Sequence, residues 1–394
     1  MLRFNPTDVV QLLQDMVRVD TVTPTASGRA DAEMPLAEAL LELARIWGFS
    51  AEFRQVPGAA PNVLITHEVS PTAPWLLFDS HLDTVGVEGM TIDPFAAEVR
   101  DGRLYGRGAC DTKGTGAAML WALREVRGAR SATQNIALLF SVREEHSQLG
   151  VRHFLAHDLP ALGWRPAAVI VGEPTGMQVV AANNGFVKWK IRTTGVAVHS
   201  STPHLGRNAV SDMARVSIAL EENYINRIHA PHPLTGGGSC CITRISGGTQ
   251  INVVPAHCVL DVNRRLAPGE SADAELAQVE ALLETLRQRD SALCVQQGEA
   301  DIVTPLAADV NLPYAELTAA TLTARGIPSQ VTGAPYTTNG NHFGAADLVT
   351  IVLGPGDIAQ AHTKDEWLSV AELTRGVAGY RALMEHSARN SPPV

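Results

Sequence analysis

Positive charge is in short supply in this chain: 31 lysines and arginines stand against 41 aspartates and glutamates, for a formal net charge of -10. Phosphate neutralisation needs a basic face and none stands out, so no nucleic-acid partner is expected. Cysteine is sparse too. The five thiols (Cys110, Cys240, Cys241, Cys258, Cys294) are odd in number and form no C-x-x-C pair, which fits reduced thiols in a cytoplasmic protein. No apolar stretch approaches membrane-spanning length, so no membrane partner is expected. The opening MLRFNPTDVVQLLQDMVRV lacks the basic segment, long apolar core and cleavage site of a secretory signal. What is present is ordinary globular composition, 45% hydrophobic and 18% charged over 394 residues. That length predicts one large or two medium domains.

The first half alternates helix and strand signals. Helical periodicity covers Pro6 to Val19 and Ala37 to Trp47, the latter closed by Gly48. Strands are predicted at Asn62 to Thr66, Trp75 to Ser80, Leu104 to Gly106, Asn135 to Val142 and Ala167 to Gly172, with a helix from about Gly116 to Val126. The unbroken apolar runs NIALLFSV and AAVIVG mark strands buried on both faces, and such alternation predicts a mainly parallel sheet covered by helices. The pattern changes near Val180. Phe186 to Thr193, Cys240 to Ser246 and Cys258 to Arg264 alternate as half-exposed antiparallel strands do, with helices near Asn208 to Glu222 and Ala272 to Arg289. Parallel-type signals return with a helix at Tyr314 to Ala324, a strand at Leu348 to Leu353 and a helix at Val370 to His386. The fold class is therefore α/β, with residues 1–181 and 301–394 forming one discontinuous domain and an α+β domain of two helices on an antiparallel sheet inserted at 182–300.

Acidic and imidazole residues gather just beyond the apolar runs: His81, Asp111, Glu144-Glu145, Glu173 and His362. Strand ends are where an open α/β sheet presents ligands to its crevice. Two imidazoles and several carboxylates converging there would hold two divalent cations and leave one carboxylate for proton transfer. In extended backbone Asp83 lies on the same face as His81, where it would accept the spare ring N–H and fix the tautomer. Each feature has a plainer reading as well. His81 with Asp83 also fits a surface histidine beside a strand-end cap, Asp111 a helix N-cap, and the glutamate pair a solvated loop. Adjacent carboxylates at the end of a buried strand nevertheless need a compensating charge, which a cation supplies. Cys110 reads as a small buried hydrophobe rather than a nucleophile.

The chain resembles the M20 peptidases, the dinuclear zinc amidohydrolases that include acetylornithine deacetylase, succinyl-diaminopimelate desuccinylase and carboxypeptidase G2-like enzymes. The motifs carrying this are SHLDTV (80–85), YGRGACDTKG (105–114), EEHSQLG (144–150), GEPT (172–175), GVAVHSSTPHLGRNA (195–209), INVVP (251–255), RRLAPGE (264–270) and GPGDIAQAHTKDEW (354–367), in the family's order. The resemblance implies two ions, zinc foremost with cobalt or manganese as alternatives, bridged by Asp111. One would also take His81 and Glu173, the other Glu145 and His362. It implies Glu144 as general base, Asp83 as orienter of His81, and His199 as an oxyanion donor reaching a partner subunit's site. It further implies a homodimer formed through the inserted domain, and substrate contacts from Asn252 and Arg264, although Arg264 or Arg265 could equally serve a structural ion pair. The expected reaction is cleavage of the amide of an N-acyl amino acid; a dipeptidase or carboxypeptidase on the same site, or a catalytically silent metal-binding relative, are the alternatives. The segment Thr337-Thr338-Asn339-Gly340 departs from the acidic residue many relatives carry there, and Asn183-Asn184-Gly185-Phe186 lacks the basic character of some acetylornithine-type enzymes.

Overall fold

The computed structural model describes residues 2–127, 133–228 and 231–385. These form two compact units, one of Met1–Ala181, Ala308–Thr332 and Thr338–Val394, the other of Ala182–Ala307 with Gly333–Thr337. The expected boundary at 300 falls inside the strand Cys294–Val303, and the short return 333–337 also joins the second unit.

The large sheet has eight strands, ordered Ser50–Arg54, Asn62–His67, Asn135–Ser141, Trp75–His81, Pro166–Val171, Thr350–Val352, Val179–Asn183 and Val331–Ala334. Its four central strands, from Asn135–Ser141 to Thr350–Val352, run parallel, as the apolar runs predict. The flanking pairs Ser50–Arg54 with Asn62–His67 and Asn62–His67 with Asn135–Ser141 are antiparallel. All seven residues of Asn135–Ser141 are buried, which is why that strand carries no polar alternation. The helix Lys113–Val126 packs on the sheet so closely that glycine is required. A Cβ at Gly114 would lie 2.4 Å from the Ala109 carbonyl oxygen, and one at Gly116 would lie 2.8 Å from the Phe140 ring. Gly114 belongs to the helix as well as Gly116, and it begins three residues before the position periodicity suggests.

Helix ends follow local chemistry. The first helix spans Val9–Val17 rather than starting at Pro6, because Asp8 is extended and its carboxylate accepts the Gln11 N–H. The second predicted helix spans Met34–Ile46, earlier than expected, with Pro35 in its first turn, and Gly48 follows it at φ 80°. The last spans Val370–Glu385, and His386 lies outside the described residues.

The second unit is a four-stranded antiparallel sheet ordered Ser239–Gly247, His257–Leu266, Gly185–Thr194, Cys294–Val303. Helices Ala209–Asn223 and Ala272–Arg289 are capped by Asn208 and Ser271. They bury Met213, Val216, Val279 and Leu283 against Val187, Trp189, Leu260 and Val262. Cys294–Val303 was not anticipated, since its polar run QQGEAD hides the alternation. Among the described residues no helix is long and apolar enough to cross a membrane.

Candidate metal centre

The first unit brings the sequence-predicted ligands to the ends of its strands. His81 ends Trp75–His81, Glu144-Glu145 follow Asn135–Ser141, Glu173 follows Pro166–Val171, and His362 lies in the loop after Thr350–Val352. Asp111 sits just ahead of the helix Lys113–Val126. One ligand atom from each of His81, Asp111 and Glu145 lies within 4.8 Å of the others. The Asp111 carboxylate spans two imidazoles, with Oδ1 3.2 Å from His81 Nε2 and Oδ2 3.3 Å from His362 Nε2. His362 Nε2 is also 3.1 Å from a Glu145 oxygen. Glu173 is buried, and its carboxyl is pushed well up by burial and by the nearby Asp111, Glu144 and Glu145.

The donor set fits divalent cations. His81 Nδ1 is 2.9 Å from the Asp83 carbonyl oxygen, which can only accept, so Nδ1 carries the proton. Nε2 then presents a lone pair toward a carboxylate, and two acceptors at 3.2 Å need a positive charge between them. Burial alone would discharge His81, but Asp111, Glu173 and Asp83 outweigh it and raise its pKa, while hydrogen bonds to Asp111 and Glu145 raise His362 to about 10. Burial and neighbouring Glu145 push Glu144 up to about 8 despite the opposing charge of His81.

Asp83 departs from its expected role. Its carboxylate lies 3.6 Å from His81 Nδ1, and the backbone carbonyl orients the ring instead. The two carboxylate oxygens accept the N–H groups of Glu144 (2.9 Å) and Glu145 (3.0 Å), so this buried anion fixes the backbone of the glutamate pair. An Asp83→Asn variant loses one of these acceptors and turns an amide N–H toward a backbone N–H. We expect metal affinity to fall by about 10–100-fold, the usual effect of losing such an orienting contact; competition with a chelator measures it, and wild-type affinity would show that the carboxylate is dispensable.

A residue that sequence reasoning passed over organises the other side. Glu366 is fully buried; its Oε2 accepts from Arg107 Nη1 (2.8 Å) and Gly108 N (2.9 Å) and its Oε1 from Cys110 N (2.8 Å) and Asp111 N (2.9 Å). It thereby shapes the glycine-rich GRGACD segment that delivers Asp111. The only signal was its place in AHTKDEW, where one of three charged neighbours precedes an aromatic. Cys110 is buried as predicted, and burial with the charges of Glu366 and Asp111 pushes its thiol pKa well up, which removes the thiolate a nucleophile needs.

On the second unit, His199 is exposed. Its Nδ1 accepts the Ser201 backbone N–H (3.2 Å) and lies 2.7 Å from the Ser201 hydroxyl, which leaves Nε2 as the outward N–H donor in the neutral ring. Asn252 is exposed, with its carbonyl taken by Ser200 N at 2.9 Å. Arg264 is corrected. Its guanidinium is buried and spent on Glu270 (2.7 Å), Glu275 (3.2 Å) and the Arg265 carbonyl, a structural network rather than an open fork. Arg265 faces the other way. It is half-buried, donates to Thr337 Oγ1 at 3.2 Å, and has no carboxylate partner among the described residues. The phase of the strand contained this signal: Cys258, Leu260 and Val262 set the covered face, and Arg264 is in step with them.

Comparison with known proteins agrees with this architecture. The aminopeptidase PepT from Bacillus cereus superposes with a TM-score of 0.78 over 97% of this chain and 98% of its own, at 21% identity. The M20 family metallo-carboxypeptidase Sso-CP2 from Sulfolobus solfataricus gives 0.78 over 96% and 99%, at 18% identity. The Bacillus subtilis YXEP protein, described as a dinuclear metal binding peptidase, gives 0.68 over 96% of each chain at 13% identity. At such identities the likeness establishes the fold. The model of peptidase family M20/M25/M40 matches residues 77–386, most of the sequence, and the chain therefore belongs to that family of metal-dependent hydrolases acting on amide or peptide bonds.

Proposed function

We propose that this protein hydrolyses the amide bond of N-acyl amino acids at a site for two divalent ions. His81, Asp111 and Glu173 would hold one and Asp111, Glu145 and His362 the other, with zinc the first choice for a mixed nitrogen and oxygen donor set and cobalt or manganese as alternatives. Ions bound there supply Lewis acidity to the attacking water and the substrate carbonyl. Within the chain, Glu144 accepts the water proton at its free oxygen, Oε2. The water oxygen bonds to the carbonyl carbon, the C–N bond breaks, and Glu144 returns the proton to the departing nitrogen. His199 serves as the N–H donor to the developing oxyanion, from the partner subunit in a homodimer.

The observation that carries this reading is the division of labour within one glutamate pair. Glu145 turns to His362 while Glu144 turns to Gln148 (3.0 Å), which leaves Glu144 free for proton transfer and argues against a silent relative. Arg265 supports a substrate bearing a carboxylate, because a half-buried guanidinium without an acidic partner among the described residues favours an anion; Asn252 is assigned a further substrate contact. The exposed edge strand Ser239–Gly247, with Ile245 bare, supports pairing of two copies through the second unit. Five free thiols support a reducing, cytoplasmic setting.

A dipeptidase or carboxypeptidase would use the same groups, and the peptidase descriptions of the structural neighbours favour it as the second reading. A panel of N-acetyl and N-succinyl amino acids against dipeptides, run on zinc- and cobalt-loaded protein, separates them. We expect release of the free amino acid from the acyl compounds, abolished by chelation and restored by metal. Turnover of dipeptides alone would replace the deacylase reading.

A further inference from the structure

Glu144 Oε1 is not left to solvent: it accepts a hydrogen bond from Gln148 Nε2 at 3.0 Å, and Gln148 Oε1 in turn lies 2.8 Å from His342 Nε2. We propose that Gln148 and His342 form a brace that fixes the Glu144 carboxylate, so that a single oxygen, Oε2, carries the proton through the reaction. This rests on Glu144 being the base.

The direction of the chain follows from the chemistry of each group. An ionised carboxylate only accepts, so the Gln148 amide must turn its NH2 toward Glu144. Its oxygen then faces His342, whose Nε2 must be protonated to donate. Turning the amide over would set its oxygen against the ionised Glu144 carboxylate and lose that bond, so with Glu144 ionised the arrangement has one favoured sense. Both braces sit on held backbone. Gln148 is 6% exposed, left-handed at φ 52°, and its own N–H is bound to the Arg143 carbonyl at 2.7 Å. His342 lies in the short helix Gly340–Ala345, ahead of which Asn339 donates to Asp79 (2.9 Å) and Ser141 (3.0 Å), and within which Asn341 accepts the Thr338 N–H (3.0 Å). The brace thus ties the loop after Asn135–Ser141 to a segment nearly two hundred positions later. Its purpose is orientation. Glu144 is a flexible side chain beside a proposed ligand, and without Gln148 its carboxylate would be free to turn toward the ions that site would hold.

Gln148 and His342 are positioning residues, since neither meets the reacting atoms. We expect Gln148→Leu and His342→Leu to lower kcat by roughly 10–100-fold, the scale of a base displaced by about an ångström. KM and zinc content should stay near wild type. His342→Gln, which still offers an N–H to Gln148, should recover most of the loss. The test uses zinc-loaded protein, N-acetyl-L-alanine and Ala-Ala as probes, and Glu144→Gln as control. If Glu144→Gln is inactive while both leucine variants keep wild-type kcat, the brace is refuted and the base assignment survives. If Glu144→Gln remains active, the base assignment itself fails. A readout independent of turnover decides the geometry: imidazole 15N spectra should show His342 protonated at Nε2, and a crystal structure of zinc-loaded Gln148→Leu should show the Glu144 carboxylate moved. A Glu144 side chain unmoved in that variant overturns the proposal.

Discussion

The Glu144→Gln protein should bind its metal ions as the wild type does and turn over substrate on the order of 10²–10⁴-fold more slowly, the range for losing a positioned general base. The amide keeps the volume of the carboxylate and can still accept from Gln148 through its oxygen, so the brace and the fold remain. What disappears is the group that receives a proton. The proposed ligands His81, Asp111, Glu145 and His362 keep their mutual contacts, since none depends on the Glu144 carboxylate. Elemental analysis beside steady-state kinetics separates the two effects. Near-normal turnover with full metal occupancy would mean that another group takes the proton.

The second large effect is on stability. Glu366→Gln replaces one carboxylate oxygen with an NH2 that faces two existing donors, either Arg107 Nη1 with Gly108 N or Cys110 N with Asp111 N. It also leaves the buried Arg107 guanidinium without its counter-charge. Breaking a buried pair from one side costs about 3–5 kcal/mol, which for a large domain is a fall of roughly 5–15 °C in Tm. Because the Asp111 N–H is one of the four donors, metal content should drop as well. Thermal unfolding and metal analysis on the same sample test both parts; an unchanged Tm would show that the surrounding backbone repacks without cost.

These two glutamates also mark how far the sequence could be read. The glutamate pair was legible because it lies just beyond an apolar run that reads as a strand, whose end opens onto the crevice, while the choice of Glu144 over Glu145 as base came from the family resemblance. Glu366 was not, because its partners are backbone N–H groups of a loop more than 250 positions earlier, and nothing in KDEW reports them. Asp83 fell between. Its proximity to His81 followed from sequence spacing, but which of its oxygens meets the ring depended on where the Glu144-Glu145 backbone turned. For Arg264 a substrate contact and a structural ion pair stood level in the sequence, although the phase of its own strand pointed to the covered face; adjacent residues on a strand point oppositely, and one step separates a buried ion pair from an open guanidinium.

By itself the amino-acid sequence determined the central strands, their parallel core and the residue types at their ends, since period and apolar length are local properties that burial enforces along the chain. The tertiary structure alone decided which oxygen of each carboxylate faces which donor, and which side chains brace Glu144. Those choices belong to segments that meet only after folding, where burial makes every unmatched polar atom costly and so selects one arrangement.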